Sequence, residues 1–251
     1  MKNRLFIVEG LLCSGKSTVS ALIARQLEKR GRVCFFDEGT GEHPADYEFH
    51  ALAPAGLLSP ESRIVPLSAY SGEMLERLLP YKIYDALPWE TEMPLMLDKW
   101  RQFVRDADPG TVYIFNCVFL QNPMCEMMMR FGFDEETSRG YIGCIADIIS
   151  ALNPVVFYLK NDDIAQSVRC AAKERPGWLD AVIDYHVNGA YGKQIRAEGF
   201  DGYIRCLEER QNRELRILSQ LPVKQIVLEN PQRNWQLANE QICRFLKENA
   251  V

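Results

Sequence analysis

The sequence predicts an α/β fold, a five-stranded parallel sheet with helices on both faces. Three observations predict it. Five short apolar runs, at residues 4–8, 32–36, 111–115, 155–159 and 224–228, read as buried strands. Segments with apolar residues at helical spacing separate them. The first run leads directly into Gly10-Leu11-Leu12-Cys13-Ser14-Gly15-Lys16-Ser17-Thr18, followed by a helical pattern. That is the strand, glycine turn and helix order of a phosphate-binding loop (P-loop), so the three-layer architecture of P-loop NTPases is expected.

The elements follow in order. The first strand, loop and helix cover residues 4 to about 30, and Gly31 reads as the glycine that ends the helix. After the second strand comes a polar stretch, 37–46, where open parallel sheets place their ligands. Residues 51–94 carry prolines at 54, 60, 66, 80, 88 and 94 and read as short helices and loops. A helix is expected over 92–105, before the turn Asp108-Pro109-Gly110 and the third strand. The methionine-rich stretch 124–129 reads as a flexible apolar surface. A helix over 141–152 ends at Asn153-Pro154, before the fourth strand. Helical character resumes at 162–173, breaks at Arg175-Pro176-Gly177, and returns from 177 and over 203–218. The fifth strand and an amphipathic helix over 235–248 close the chain. The expectation is one domain, 1–251, with a helical lid at about 162–202.

Composition narrows the function classes. The chain has 251 residues, a net charge of -5 and 47% hydrophobic residues, enough for a sizeable core. No run of about 18 apolar residues suggests a membrane span, and the first strand begins too early for a secretory signal. The acidic balance argues against binding a nucleic acid polymer. The eight cysteines form no C-x-x-C pair, so a structural zinc site has no support. Free thiols fit a cytoplasmic protein.

Each loop position has a physical task. Gly10 and Gly15 allow backbone angles closed to other residues. The N–H groups of the loop, through Cys13 and Ser14, then converge on one point, where phosphate oxygens sit. The helix that starts at Lys16, Ser17 and Thr18 adds the positive end of its dipole. Lys16 supplies an ammonium for the β- and γ-phosphates, and Ser17 offers its hydroxyl to Mg²⁺. ATP and Mg²⁺ are therefore the expected ligands.

Val8-Glu9-Gly10 followed by Gly15-Lys16-Ser17-Thr18 resembles the opening of the deoxynucleoside and thymidylate kinase families. No Asn-Lys-x-Asp guanine-reading motif is present, which disfavours a GTPase. The resemblance implies a basic lid helix closing over ATP. In this chain that helix carries Arg169 and Lys173, one helical turn apart, with Arg175 at the hinge. It also implies a glutamate base beyond the second strand, for which Glu38 is the first choice and Asp37 the second, as a substrate contact. At the third-strand end, where those families carry Glu-Arg-Ser or Asp-Arg, this chain has Asn116-Cys117-Val118. A neutral Asn116 brings no carboxylate to Mg²⁺. Asn116 itself, His43 and Gln121 are further candidates for contact with substrate.

The expected activity is transfer of the γ-phosphoryl group of ATP to a small, nucleoside-like acceptor. Two rivals stand beside it. One is a kinase of another small metabolite or antibiotic. The other is a nucleotide-binding regulatory module with little turnover, favoured by Asn116. A homodimer is compatible with the sequence.

Overall fold

The computed structural model describes residues 2–39 and 42–249, so Thr40 and Gly41 of the polar stretch lie outside the described residues. In chain order the elements are β1 (Leu5–Gly10), α1 (Lys16–Leu27), β2 (Arg32–Phe36), β3 (His50–Ala53), β4 (Arg63–Pro66), α2 (Gly72–Leu78), α3 (Ile83–Ala86), α4 (Trp89–Asp106), β5 (Thr111–Asn116) and α5 (Gln121–Met124). There follow α6 (Glu135–Ile149), β6 (Val155–Lys160), α7 (Ile164–Glu174), α8 (Trp178–Asn188), α9 (Ala190–Gln194), α10 (Gly199–Gln220), β7 (Lys224–Glu229) and α11 (Trp235–Asn249). They form two compact units, one of residues 2–37 with 108–249 and one of residues 38–107.

The first unit holds the sheet, in the order β2-β5-β1-β6-β7, with every pairing parallel. Its central strands are apolar nearly throughout because helices cover both faces. Side chains alternate across β1. Phe6 and Val8 join Val19, Ile23, Phe157, Leu159, Ile242 and Leu246 in a core between the sheet, α1 and α11. A second core gathers Leu11, Ile164, Val168, Tyr203, Ile204 and Leu207, packing α7 and α10 beside the loop. Each fully buried Leu, Ile or Phe contributes roughly 1.5–3 kcal/mol.

The topology places the ligand crevice. From β1 the chain runs through α1 to β2 on one side, and from β5 it runs through α5 and α6 to β6 on the other. Neighbouring strands whose connections leave in opposite directions open a crevice at their C-terminal ends. Gly10 ends β1 and Asn116 ends β5, so both stand at that crevice.

The five sheet strands fall within two residues of their expected bounds. Two expectations need correction. Part of the proline-rich segment is an antiparallel ribbon, β3 with β4, pairing His50 with Pro66 and Ala53 with Arg63. Proline suits this place because it closes the ribbon at its end. The ribbon packs Ala51, Ala53 and Val65 against Leu67 and Leu78 in the core of the second unit. The methionine stretch is no surface: Met124, Met127, Met128 and Met129 are buried, the last three in a π-helical turn, Cys125–Arg130. Unbranched thioether chains fill the irregular space such a turn leaves.

Candidate active site

The loop at the end of β1 bends back because two glycines accept positive φ, 142° at Gly10 and 94° at Gly15. Both positions are also crowded. A Cβ on Gly10 would stand 2.7 Å from the Leu159 carbonyl oxygen, and one on Gly15 would stand 2.4 Å from the Trp235 ring. Cys13, also at positive φ, is held by Gln232, whose side-chain amide donates to the Cys13 carbonyl at 2.6 Å. The first turn of α1 has no side-chain cap and no acidic residue. Its N–H groups at Lys16, Ser17 and Thr18 have no intrahelical partners, and the positive end of the helix faces the loop. A phosphate group satisfies both. Lys16 is buried, its ammonium donating to the Leu11 carbonyl at 2.9 Å, so the cation already sits inside the loop.

Three side chains from three elements meet beside α1. The Ser17 hydroxyl donates to Asp37 Oδ1 at 3.1 Å. The Asn116 amide donates to the same Asp37 oxygen at 2.5 Å and to Ser17 Oγ at 3.3 Å. The carboxylate missing from the end of β5 thus arrives from just beyond β2, one strand over. A hydroxyl and a carboxylate oxygen converging at a phosphate loop fit the chemistry of Mg²⁺, a hard cation that binds one or two carboxylates and completes its shell with phosphate oxygens and water. Among the described residues there is no cluster of three or more His, Cys, Asp or Glu to hold a metal without a nucleotide.

Behind this group lies a tether. Glu9 points from β1 to the opposite face from Val8 and is fully buried. Its carboxylate accepts the backbone N–H groups of Phe119 (2.8 Å), Leu120 (3.0 Å) and Gln121 (3.0 Å). Burial pushes its pKa up to about 7; the N–H groups oppose that shift, and Glu214 adds to it. The tether ties β1 to the turn after Asn116, where Cys117 takes a positive φ of 72°. Gln121 is buried at the start of α5.

The expected lid cations lie on α7 and at its end. Arg169 stacks on the Phe200 ring at 4.6 Å, and Arg175 on the Trp178 ring at 5.5 Å. Lys173 shares the exposed face of Arg169. Helices α7, α8 and α9 occupy the expected lid segment.

Glu38 and His43 belong to the second unit. Glu38 is exposed. His43 is buried, its Nδ1 accepting the Ala45 N–H at 3.1 Å. Burial, then the Lys99 cation, pull its pKa down to about 3, so the ring is neutral at pH 7. In the same unit burial, then Asp46, push Glu48 up to about 7. Tyr84 donates to Asp46 at 2.5 Å.

Sequence reasoning did not anticipate Glu9, Gln232 or Trp235. A charge inside an apolar strand was a signal for Glu9. Gln232 and Trp235 lie more than 200 residues from the loop they touch, and nothing local in the sequence marks them.

No family model matches the chain, and no curated protein matches it. Among solved structures the chain is similar to the crystal structure of the YorR protein from Bacillus subtilis in complex with phosphorylated GDP. The two share 14% identity at a TM-score of 0.45, covering 98% of this chain and 99% of that one. Among the described residues no helix is long and apolar enough to cross a membrane.

Proposed function

We propose that this protein is an ATP-dependent phosphotransferase that moves the γ-phosphoryl group of ATP to a nucleoside, nucleotide or similar small hydroxylated acceptor. The observation that carries the reading is the meeting of Ser17, Asp37 and Asn116 beside an uncapped helix start that already holds Lys16. The loop N–H groups bind the donor phosphates, and Lys16 exchanges the Leu11 carbonyl for phosphate oxygens. Ser17 and Asp37 would hold Mg²⁺, with Asn116 orienting Asp37. When bound, Mg²⁺ neutralises charge on the β- and γ-phosphates. Glu38 accepts the proton of the acceptor hydroxyl, the oxygen forms its bond to the γ-phosphorus, and ADP leaves. Arg169, Lys173 and Arg175 stabilise the charge on the transferring group.

The test is phosphotransfer from γ-labelled ATP, with Mg²⁺, to a panel of nucleosides, nucleotides and small hydroxylated metabolites. The reading predicts a labelled product that disappears with Lys16→Ala and in EDTA. Binding of Mg-ATP with no transfer to any acceptor, unchanged by Glu38→Gln, would instead support the regulatory module that the neutral Asn116 favours.

A further inference from the structure

Cys13 holds a φ of 64°, a left-handed backbone that a residue with a side chain adopts seldom and keeps only where its surroundings fix it. One such contact comes from the far end of the chain, where the Gln232 side-chain amide donates to the Cys13 carbonyl at 2.6 Å. The peptide from Cys13 to Ser14 is planar, so its carbonyl and the Ser14 N–H point in opposite directions. With the carbonyl held by Gln232, that N–H turns back into the loop and donates to the Leu11 carbonyl at 3.2 Å. The Lys16 ammonium donates to the same carbonyl. Gln232 therefore sets which way one peptide of the phosphate loop faces, with its donor toward the Lys16 ammonium and its acceptor turned away.

Gln232 is itself held in one orientation. The Cys13 carbonyl can only accept, so the amide nitrogen faces it and Oε1 is left for another partner. Ser167 of α7 donates its hydroxyl hydrogen to that Oε1 at 3.3 Å. The hydrogen is available because Ser167 accepts at its other contact, from the Asn161 side-chain amide at 2.7 Å. Asn161 is buried, and its Oδ1 accepts the Asp163 N–H at 3.0 Å. Gln211 of α10 brackets the Asn161 backbone, accepting from its N–H at 2.8 Å and donating to its carbonyl at 2.9 Å. Every hydrogen bond in the row runs one way, from Asn161 to Ser167 to Gln232 to Cys13. The turn that carries Gln232 is fastened to the turn before α7 as well, because Asn230 and Asp162 exchange two hydrogen bonds, at 2.8 and 2.7 Å.

We propose that Gln232 is a positioning residue of the phosphate loop and that Ser167 couples it to α7, so that α7 and phosphates bound at the loop act on each other through this one side chain. Helix α7 also carries Arg169 and Lys173, so a shift of those cations and the grip of the loop are linked. The Ser167 bond is the longest of the row and exceeds the usual O–H···O length, so Ser167 contributes less than Gln232. The coupling rests on the phosphotransferase reading for its purpose; the positioning does not, and it is read in the ligand-free chain.

Amide exchange of the full chain without ligand, followed by NMR, tests the positioning. Gln232→Met keeps the volume and removes both bonds, so the Ser14 N–H should exchange about fivefold faster while amides in the middle of α1 keep their rates. Ser167→Ala should speed the same amide about twofold and add nothing to Gln232→Met. Calorimetry with Mg-ATP, and with inorganic tripolyphosphate, which has no base or sugar, tests the consequence. Gln232→Met should weaken both by about fivefold and Ser167→Ala by about twofold, again with nothing added in the double variant. The positioning is overturned if Gln232→Met leaves the Ser14 rate unchanged, or if α1 quickens as much as Ser14, which is a general loss of stability. It is overturned equally if the wild type and Gln232→Met bind tripolyphosphate alike. Additive effects of the two substitutions would overturn the coupling to α7. A chain in which Ser14 responds as expected but neither Mg-ATP nor tripolyphosphate binds keeps the positioning and loses the phosphotransferase.

Discussion

Asn116 donates its amide hydrogen to the Asp37 oxygen that Ser17 also holds, so the end of β5 orients a carboxylate it does not itself supply. Division of labour between an amide and an acid predicts opposite outcomes for two substitutions. Asn116→Asp sets two carboxylates against each other. In EDTA it should cost about 1–3 kcal/mol in stability, and Mg²⁺ should raise its Tm more than that of the wild type. Asp37→Asn removes the only acid of the group. It should weaken Mg-ATP by at least about tenfold while leaving metal-free ADP nearly unaffected. Melting curves and calorimetry with and without Mg²⁺ check both.

Trp235 lies over Gly15, close enough that a Cβ there would strike the indole ring at 2.4 Å. A ring resting on the phosphate loop should report its occupancy. Binding of ATP should change the indole fluorescence, and Trp235→Phe should abolish most of that change. Gly15→Ala adds both a clash and a strained positive φ, so it should destabilise the protein by about 1–3 kcal/mol and eliminate nucleotide binding. An alanine variant that binds ATP normally would show that the loop opens away from Trp235.

The parallel sheet was legible because its central strands, buried on both faces, appear as apolar runs, and the edge strands β2 and β7 still carry three or four consecutive apolar residues. The loop was legible because its chemistry is local, with glycines, Lys16 and Ser17 at fixed spacing. The ribbon β3–β4 was not. Its strands are four residues each, rich in alanine and ended by Pro66, and they pair by tertiary packing more than by β-propensity. Asp37 was visible as an acid beyond a strand, but its partnership with Asn116 joins residues 79 apart in the chain. Arg210 and Glu214 are helix charges four residues apart, and their burial, with Tyr158 donating to Glu214 across 56 residues, is not marked by anything local in the sequence.

Glu9 links stability to pH. Its carboxyl, ordinarily near 4.5, is raised to about 7 by burial. Between those values the folded protein keeps a proton that the unfolded chain has lost, so stability falls as pH rises through that window. The effect is on the order of 3 kcal/mol for a shift of this size. Glu9→Gln removes the titration and turns an amide N–H toward the Gln121 N–H, costing about 1–3 kcal/mol at any pH. The wild type should therefore exceed Glu9→Gln in stability by more at pH 5 than at pH 8. Denaturant melts at both values measure the difference. The reverse slope would mean that the three backbone donors outweigh burial.

The lid cations separate a catalytic from a structural role by their surroundings. Arg169 leans on Phe200, so Phe200→Leu should lower stability by about 0.5–1 kcal/mol through the lost cation–π contact. Lys173 sits exposed on the same helix face, and Lys173→Ala should change stability by no more than about 0.5 kcal/mol. If α7 closes over ATP, Lys173→Ala should nonetheless lower kcat by roughly a hundredfold, with a smaller change in KM for ATP, because the cation acts on charge that spreads in the transition state. Arg169→Ala should lower both stability and kcat. Unchanged kcat in both alanine variants would reduce this helix to a solvated surface held by Phe200 and Trp178.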